Sequence, residues 1–131
     1  MKALTLIQPW ATLIIDGCKT IETRSWSTKV RGTVAIHAGK KVDKAAAIQF
    51  GYDPDKLPTG CVIGIADIVD CFQFNERTVA DPYGDFTPGR FGFVLVNPRG
   101  FQYPLDVRGA LGFWEWDDKV AVKVRLRRED M

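Results

Sequence analysis

The stretch that most restricts the fold of this chain is Cys61 to Cys71, an unbroken β-like run. In strand phase, Cys61, Ile63, Ile65, Asp67, Val69 and Cys71 share one face. Val62, Gly64, Ala66, Ile68 and Asp70 take the other. Both faces are mostly apolar, which predicts a central strand covered on both sides. Gly64 has no side chain to pack, so it marks a bend or a close approach, as a barrel corner needs.

The remaining elements are short. Ala3–Ile7 reads as a strand. Gln8-Pro9-Trp10 opens a helix, with proline at the first helical position, where its missing N–H costs nothing. Trp10, Leu13 and Ile14 form an i, i+3, i+4 stripe, and Gly17 ends the helix in the left-handed conformation. Arg31-Gly32 is a turn, and Thr33–His37 alternates as a half-buried strand. Asp43 caps an Ala-rich helix over 44–50, which Gly51 stops. Residues 53–60 and 75–90 are loops by composition, the second long and partly ordered. Phe91–Val96 and Phe101–Val107 are expected to pair as a hairpin through Asn97-Pro98-Arg99-Gly100, with Pro104 at an edge or bulge. Gly112–Trp116 is a last aromatic segment. In the tail, Val120, Val122, Val124 and Leu126 alternate with Ala121, Lys123, Arg125 and Arg127. That pattern reads first as an edge strand whose charges block aggregation, and second as a phosphate-tracking stripe. About seven strands and two short helices predict a mostly β, α+β chain: a small barrel with two or three short helices packed at its ends. One domain is expected over 1–131, with 117–131 as a basic C-terminal strand or tail.

Composition narrows the function. The net charge of +2 is too small by itself to announce nucleic acid. Three cysteines are an odd count without close pairing, which fits reduced thiols. No apolar run approaches membrane-spanning length, and the first residues read straight into a strand, so no membrane association and a cytoplasmic location are expected. A single histidine and three scattered cysteines do not supply zinc-ligand spacing. Neither a P-loop nor a G-x-G-x-x-G occurs, and no G-x-S-x-G accompanies His37. A nucleotide cofactor and a Ser/His/Asp triad are therefore not expected, and the cofactor expectation is none.

Chemistry concentrates in Gly17-Cys18-Lys19-Thr20-Ile21-Glu22-Thr23-Arg24-Ser25-Trp26. As a strand, Thr20, Glu22, Arg24 and Trp26 share a face too polar for a core and suited to the wall of a cleft. Lys19 is out of phase and joins that face only if the strand begins after it. Lys19 and Glu22 can act as an acid/base pair, bind a ligand, or form a structural ion pair. Arg24 suits phosphate or carboxylate, or bridges to Glu22. Trp26 can stack on a base, whereas Trp10 lies on the apolar stripe and reads as core. Arg31, His37, Lys40 and Lys41 form a basic cluster that can touch a nucleic-acid backbone or remain solvated surface.

Gly17, Lys19, Glu22 and Arg24 fit G-x-K-x-x-E-x-R, and in this the chain resembles the ASCH domain, named for activating signal cointegrator homology. Gln8-Pro9-Trp10-Ala11, Arg24-Ser25-Trp26, Arg31-Gly32, Pro58-x-Gly60-Cys61, Asp67-x-x-Asp70-Cys71 and Asn97-Pro98 are similar to its cointegrator-like branch. The resemblance runs from about Leu4 to Asn97 and more weakly to Trp114. It implies a PUA-like barrel with a cleft between barrel and first helix, and RNA-linked work as binder or small hydrolase. The amidohydrolase branch carries a threonine where this chain has Glu22, so that nucleophile is absent.

Two functions follow as expectations. The first is a module binding RNA or single-stranded nucleic acid. Lys19 and Arg24 would take phosphate, Glu22 a base amino edge or ribose hydroxyl, and Trp26 a base face. The second is a hydrolase on RNA or a modified nucleoside, with Lys19 and Glu22 as catalytic acid and base. A protein-interaction role, with protein partners in a larger RNA-processing assembly, is the third reading.

Overall fold

The structure is a computed structural model that describes residues 1–117, 119 and 126–130. Strand β1 (Lys2–Gln8) leads through α1 (Trp10–Ile15) to β2 (Ile21–Arg24) and β3 (Gly32–Val42). Helix α2 (Lys44–Gln49), β4 (Cys61–Gln73), β5 (Phe91–Asp106) and β6 (Phe113–Glu115) follow. The strands form one six-stranded sheet in the order β2-β5-β4-β3-β1-β6. Among the described strands only β1 and β3 pair in parallel, which fits the crossover through α1 and β2 that joins them. The described residues are thus mostly β with two short helices. No helix among them is long and apolar enough to cross a membrane.

The central position of β4 explains its two apolar faces. Cys61, Ile63, Ala66 and Ile68 join Leu4, Ile14, Ile36 and Phe93 in the larger core, beneath α1. Val62 packs on the opposite side with Ala3, Ala35, Phe101 and Trp116. Strict alternation would have set Ala66 and Ile68 against Cys61 and Ile63. Irregularities in the β4–β5 ladder between Val62 and Gly64, and between Ile65 and Asp67, reverse the phase instead. Gly64 lies where α1 crosses the strand: a Cβ there would overlap the Arg99 carbonyl and stand 2.7 Å from Ile15 Cδ1.

The expected hairpin at Asn97–Gly100 does not form. Phe91–Asp106 is one bent strand that pairs with β4 along most of its length, and Asn97 adopts a φ of 54° within it. Strand β2 covers only Phe91–Val94 on the other edge. Beyond that point no ladder among the described residues lies on that edge, where Leu126 makes a single bridge to Phe101, so Pro98 and Pro104 interrupt no pairing among the described residues there. The expected cap at Asp43 holds, whereas Pro9, expected at the first helical position, is the cap residue just before α1. Asp43 accepts a hydrogen bond from Ala46 N at 3.0 Å, and buried Gln8 accepts one from Thr12 N at 3.0 Å while donating to the Pro58 carbonyl at 2.9 Å.

The hydrogen-bonded order ends at β2 on one side and β6 on the other, and no ladder among the described residues joins these two edges. The sheet nevertheless curls until its ends touch through side chains. Trp26, just past β2, meets Phe113 of β6 edge-on at 5.9 Å, and Phe93 stacks on Phe113 at 6.0 Å. The alternating basic tail falls on residues 120–125, outside the described residues. Leu126 bridges to Phe101, and Arg127 pairs with Asp16 at 3.0 Å and Asp130 at 2.9 Å.

Candidate functional site

The seam between β1 and β2 is where polar chemistry collects. Helix α1 ends at Asp16, and Gly17 takes a φ of +83° that turns the chain back. Cys18 N and Lys19 N both bond the Leu13 carbonyl at 3.0 Å, and β2 begins only at Ile21. Lys19 therefore escapes strand phase and swings inward, where it is 2% exposed. Its ammonium donates to the Tyr83 carbonyl at 2.6 Å and pairs with Glu22 Oε1 at 3.3 Å. It also lies 5.6 Å from the centre of the Trp10 ring.

Glu22 organises the group. It is 7% exposed. Oε1 also accepts from Thr23 N at 3.1 Å, and Oε2 accepts from Arg24 Nε at 2.8 Å. Arg24 Nη2 donates to the Thr5 carbonyl on β1 at 2.9 Å, so the guanidinium spans the seam. Its remaining N–H groups form a fork without a protein acceptor among the described residues. The guanidinium stands 5.7 Å from the Trp26 ring, which is 38% exposed and rests edge-on against Phe93. Burial pushes the Lys19 amine below its ordinary pKa, and the attraction of Glu22 opposes that fall without cancelling it.

These groups line a hollow of about 900 Å³. Thr5, Leu6 and Ile7 form one side, and Lys19, Glu22, Thr23, Arg24 and Trp26 another. Pro82–Asp85 and Leu111-Gly112 complete the rim. The hollow is mixed in character. Ile7, Leu111 and Trp26 are exposed apolar groups around a floor of paired charges. Lys19 and Arg24 are matched in number by Glu22 and Asp85, so the lining carries no excess of positive charge.

Of the eight residues expected to bind, Lys19, Glu22, Arg24 and Trp26 meet in this hollow, and the other four do not line it. Arg31 is exposed and turns its guanidinium onto the Thr28 and Val30 carbonyls. Lys40 and Lys41 are exposed at the end of β3. His37 is 3% exposed. Its Nε2 donates to the Val107 carbonyl at 2.7 Å, and Nδ1 meets Thr5 Oγ1 at 3.1 Å, so it is an internal strut and not a surface cation. Sequence reading missed Thr5, Tyr83, Gly84, Asp85, Leu111 and Gly112. The turn residues at 81–85 signalled a loop, but no local pattern says which part of the sheet a loop will cover. Among the described residues, no three His, Cys, Asp or Glu side chains converge as a metal site.

Residues 4–104 match the family model described as ASCH domain. The chain is 30% identical to activating signal cointegrator 1 of Homo sapiens, with 89% of this chain and 22% of that protein aligned. The Mus musculus protein of the same name is 29% identical over the same shares. The chain thus spans about a fifth of the length of these curated relatives. A crystal structure of ASCH from Zymomonas mobilis superposes with a TM-score of 0.64 at 16% identity, over 95% of each chain. Two mutant forms of that protein superpose at 0.64 and 0.60. At that identity the likeness speaks for the fold alone.

Proposed function

This chain belongs to the ASCH domain family, and from that premise we propose that it binds RNA or single-stranded nucleic acid by taking one splayed base into the seam between β1 and β2. In this reading the curled sheet is a barrel whose seam is left open for the guest. The observation that carries it is the union of an exposed indole, Trp26, with the Arg24 fork and the buried Lys19–Glu22 pair at one hollow. Trp26 offers a face on which any base can stack. Arg24 offers its outer N–H groups to a phosphate or a base carbonyl. Glu22 already accepts three hydrogen bonds, which leaves room for at most one guest donor.

The charge balance favours a short grip over a long track. Lys19 is largely neutralised by Glu22, and Arg31, Lys40 and Lys41 do not line the hollow. For a labelled six-nucleotide single-stranded RNA, the expected slope of log affinity against log salt is about −0.7, one phosphate's worth. Trp26→Ala is expected to weaken binding about tenfold, from the ~1–3 kcal/mol of a base–aromatic stack. Fluorescence anisotropy measures both. A slope three times steeper, or an affinity indifferent to Trp26→Ala, overturns this reading.

A second reading is favoured by one observation, the depressed pKa of Lys19 beside Glu22. An amine so placed spends more time neutral near pH 8 than an ordinary lysine and can accept a proton from water or a ribose hydroxyl. In this hydrolase reading Lys19→Arg keeps the charge, loses the base, and abolishes cleavage of RNA or an acylated nucleoside in a chromatographic assay. Cleavage equal to the parent protein's in Lys19→Arg rejects it.

A further inference from the structure

We propose that Pro82–Asp85 is the second half of the site, and that Gly84 is the positioning residue that lets this loop seat on Lys19. The proposal starts from a contact that the motif at 17–26 does not contain. The Tyr83 carbonyl accepts from Lys19 Nζ at 2.6 Å, the shortest bond this ammonium makes. Two residues on, Asp85 N donates to Thr23 Oγ1 at 3.1 Å. The backbone of 83–85 thus rests on Lys19, just before β2, and on Thr23 within it, and Gly84 lies between its two points of attachment.

That seat exists only because Gly84 lacks a side chain. A Cβ there would stand 2.6 Å from Thr23 Cγ2, 2.9 Å from Thr23 Oγ1 and 3.4 Å from Lys19 Nζ. The first two separations are closer than non-bonded atoms tolerate. Gly84 is not among the glycines with positive φ, so alanine would meet contact and not backbone strain. A β-carbon at 84 must displace the loop or turn the Thr23 side chain, and either movement disturbs the Asp85 N–Thr23 Oγ1 bond that seats the loop beside Lys19.

The loop does not need this seat in order to fold. Tyr83 packs on Phe50 at 5.0 Å and Phe86 stacks on Phe74 at 4.8 Å, contacts that involve neither Thr23 nor the Lys19 ammonium. Arg90 holds Asp85 from outside at 3.5 Å. With these anchors intact, a lifted Gly84 changes the hollow and leaves the core alone. The consequence is chemical. Tyr83 supplies a neutral acceptor that aims the ammonium, and Glu22 supplies the counter-charge. Without Tyr83, Lys19 swings toward Glu22 alone, and the wall formed by Pro82–Asp85 retreats from the guest.

The test is a cycle of Gly84→Ala, Thr23→Ala and the double variant. Two readouts are used, and the second rests on the RNA reading above. The first is the ¹H–¹⁵N signal of the Lys19 ammonium, assigned by its loss in Lys19→Arg and sharp because a buried, bonded ammonium exchanges slowly. Gly84→Ala is expected to broaden or shift that signal. The double variant is expected to restore it, because removing Cγ2 and Oγ1 of Thr23 makes room for the new methyl. The second is anisotropy with the six-nucleotide RNA. Gly84→Ala is expected to bind about tenfold more weakly, with a melting temperature within a few degrees of the parent protein's. The double variant is expected to match Thr23→Ala alone. Such a rescue is a coupling that two independent losses of stability would not produce. An ammonium signal unmoved by Gly84→Ala, or unrestored in the double variant, overturns the proposal. A signal that moves and returns while the parent protein ignores RNA upholds the seat and overturns the RNA reading.

Discussion

Replacing Glu22 by alanine is expected to destabilise the protein by about 3 kcal/mol, because it leaves the Lys19 ammonium buried without its counter-charge. Lys19 is 2% exposed, and its other acceptor among the described residues is the neutral Tyr83 carbonyl. The same change frees Arg24 Nε and Thr23 N, so three donors lose one acceptor together. Urea unfolding at pH 7 measures the loss, and a value under about 1 kcal/mol contradicts the account.

The pH dependence has a definite sign. The folded pKa of Lys19 lies below its unfolded value, so between the two the unfolded chain binds more protons. Stability contributed by this group therefore rises with pH across that window. Below the window the burial penalty is present in full. Removing Glu22 removes the main force that raises this pKa, so the window widens downward. The variant is expected to recover part of its deficit as pH rises toward the ordinary lysine value of 10.5, whereas the parent protein gains less. A double variant, Lys19→Met with Glu22→Leu, is expected to recover most of the stability while abolishing ligand binding, since buried pairs are often replaceable by apolar packing.

Gly64→Ala is expected to cost about 3 kcal/mol, at the upper end for an overpacked site. The obstacle is the Arg99 carbonyl on β5, with Gly100 Cα at 3.1 Å and Ile15 Cδ1 at 2.7 Å behind it. Two of those atoms are backbone in the paired β4–β5 ladder, so they cannot turn aside as a flexible side chain would. The expected fall in melting temperature is about 10 °C for a chain of this size. Gly17→Ala is the informative contrast. Gly17 has a φ of +83° but nothing within 4 Å of the missing Cβ, so only the left-handed backbone cost of about 1 kcal/mol applies. Equal effects at the two positions would mean that contact at Gly64 does not matter.

Much of this arrangement could be read from residues in a row. Apolar residues on both faces of Cys61–Cys71 required a strand buried from two sides, because neither face could stay in water. Gly17 and the alternation from Thr20 set Glu22, Arg24 and Trp26 toward one place, since strand phase is a property of the local backbone. That Lys19 would join them depended on where β2 starts, and the glycine turn supplied the hint. Asp43 could be read as a cap because its partner is only three residues away.

Four features were decided elsewhere. Asn97-Pro98 has the composition of a hairpin turn, yet the strand continues through it, because β4 pairs on both sides of it. Ala66 and Ile68 changed faces because a ladder irregularity adds a residue that no periodic count anticipates. His37 looked like one member of a basic cluster, but β1 and Val107 enclose it. Tyr83 reaches Lys19 across 64 residues. Conformational preference acts over a few neighbouring residues, so the Asp43 cap, the Gly17 turn and the doubly apolar character of β4 were legible in this sequence by itself. Which distant backbone covers a charged group depends on how the sheet curls and where a long loop lands, and that was settled only when the whole chain packed.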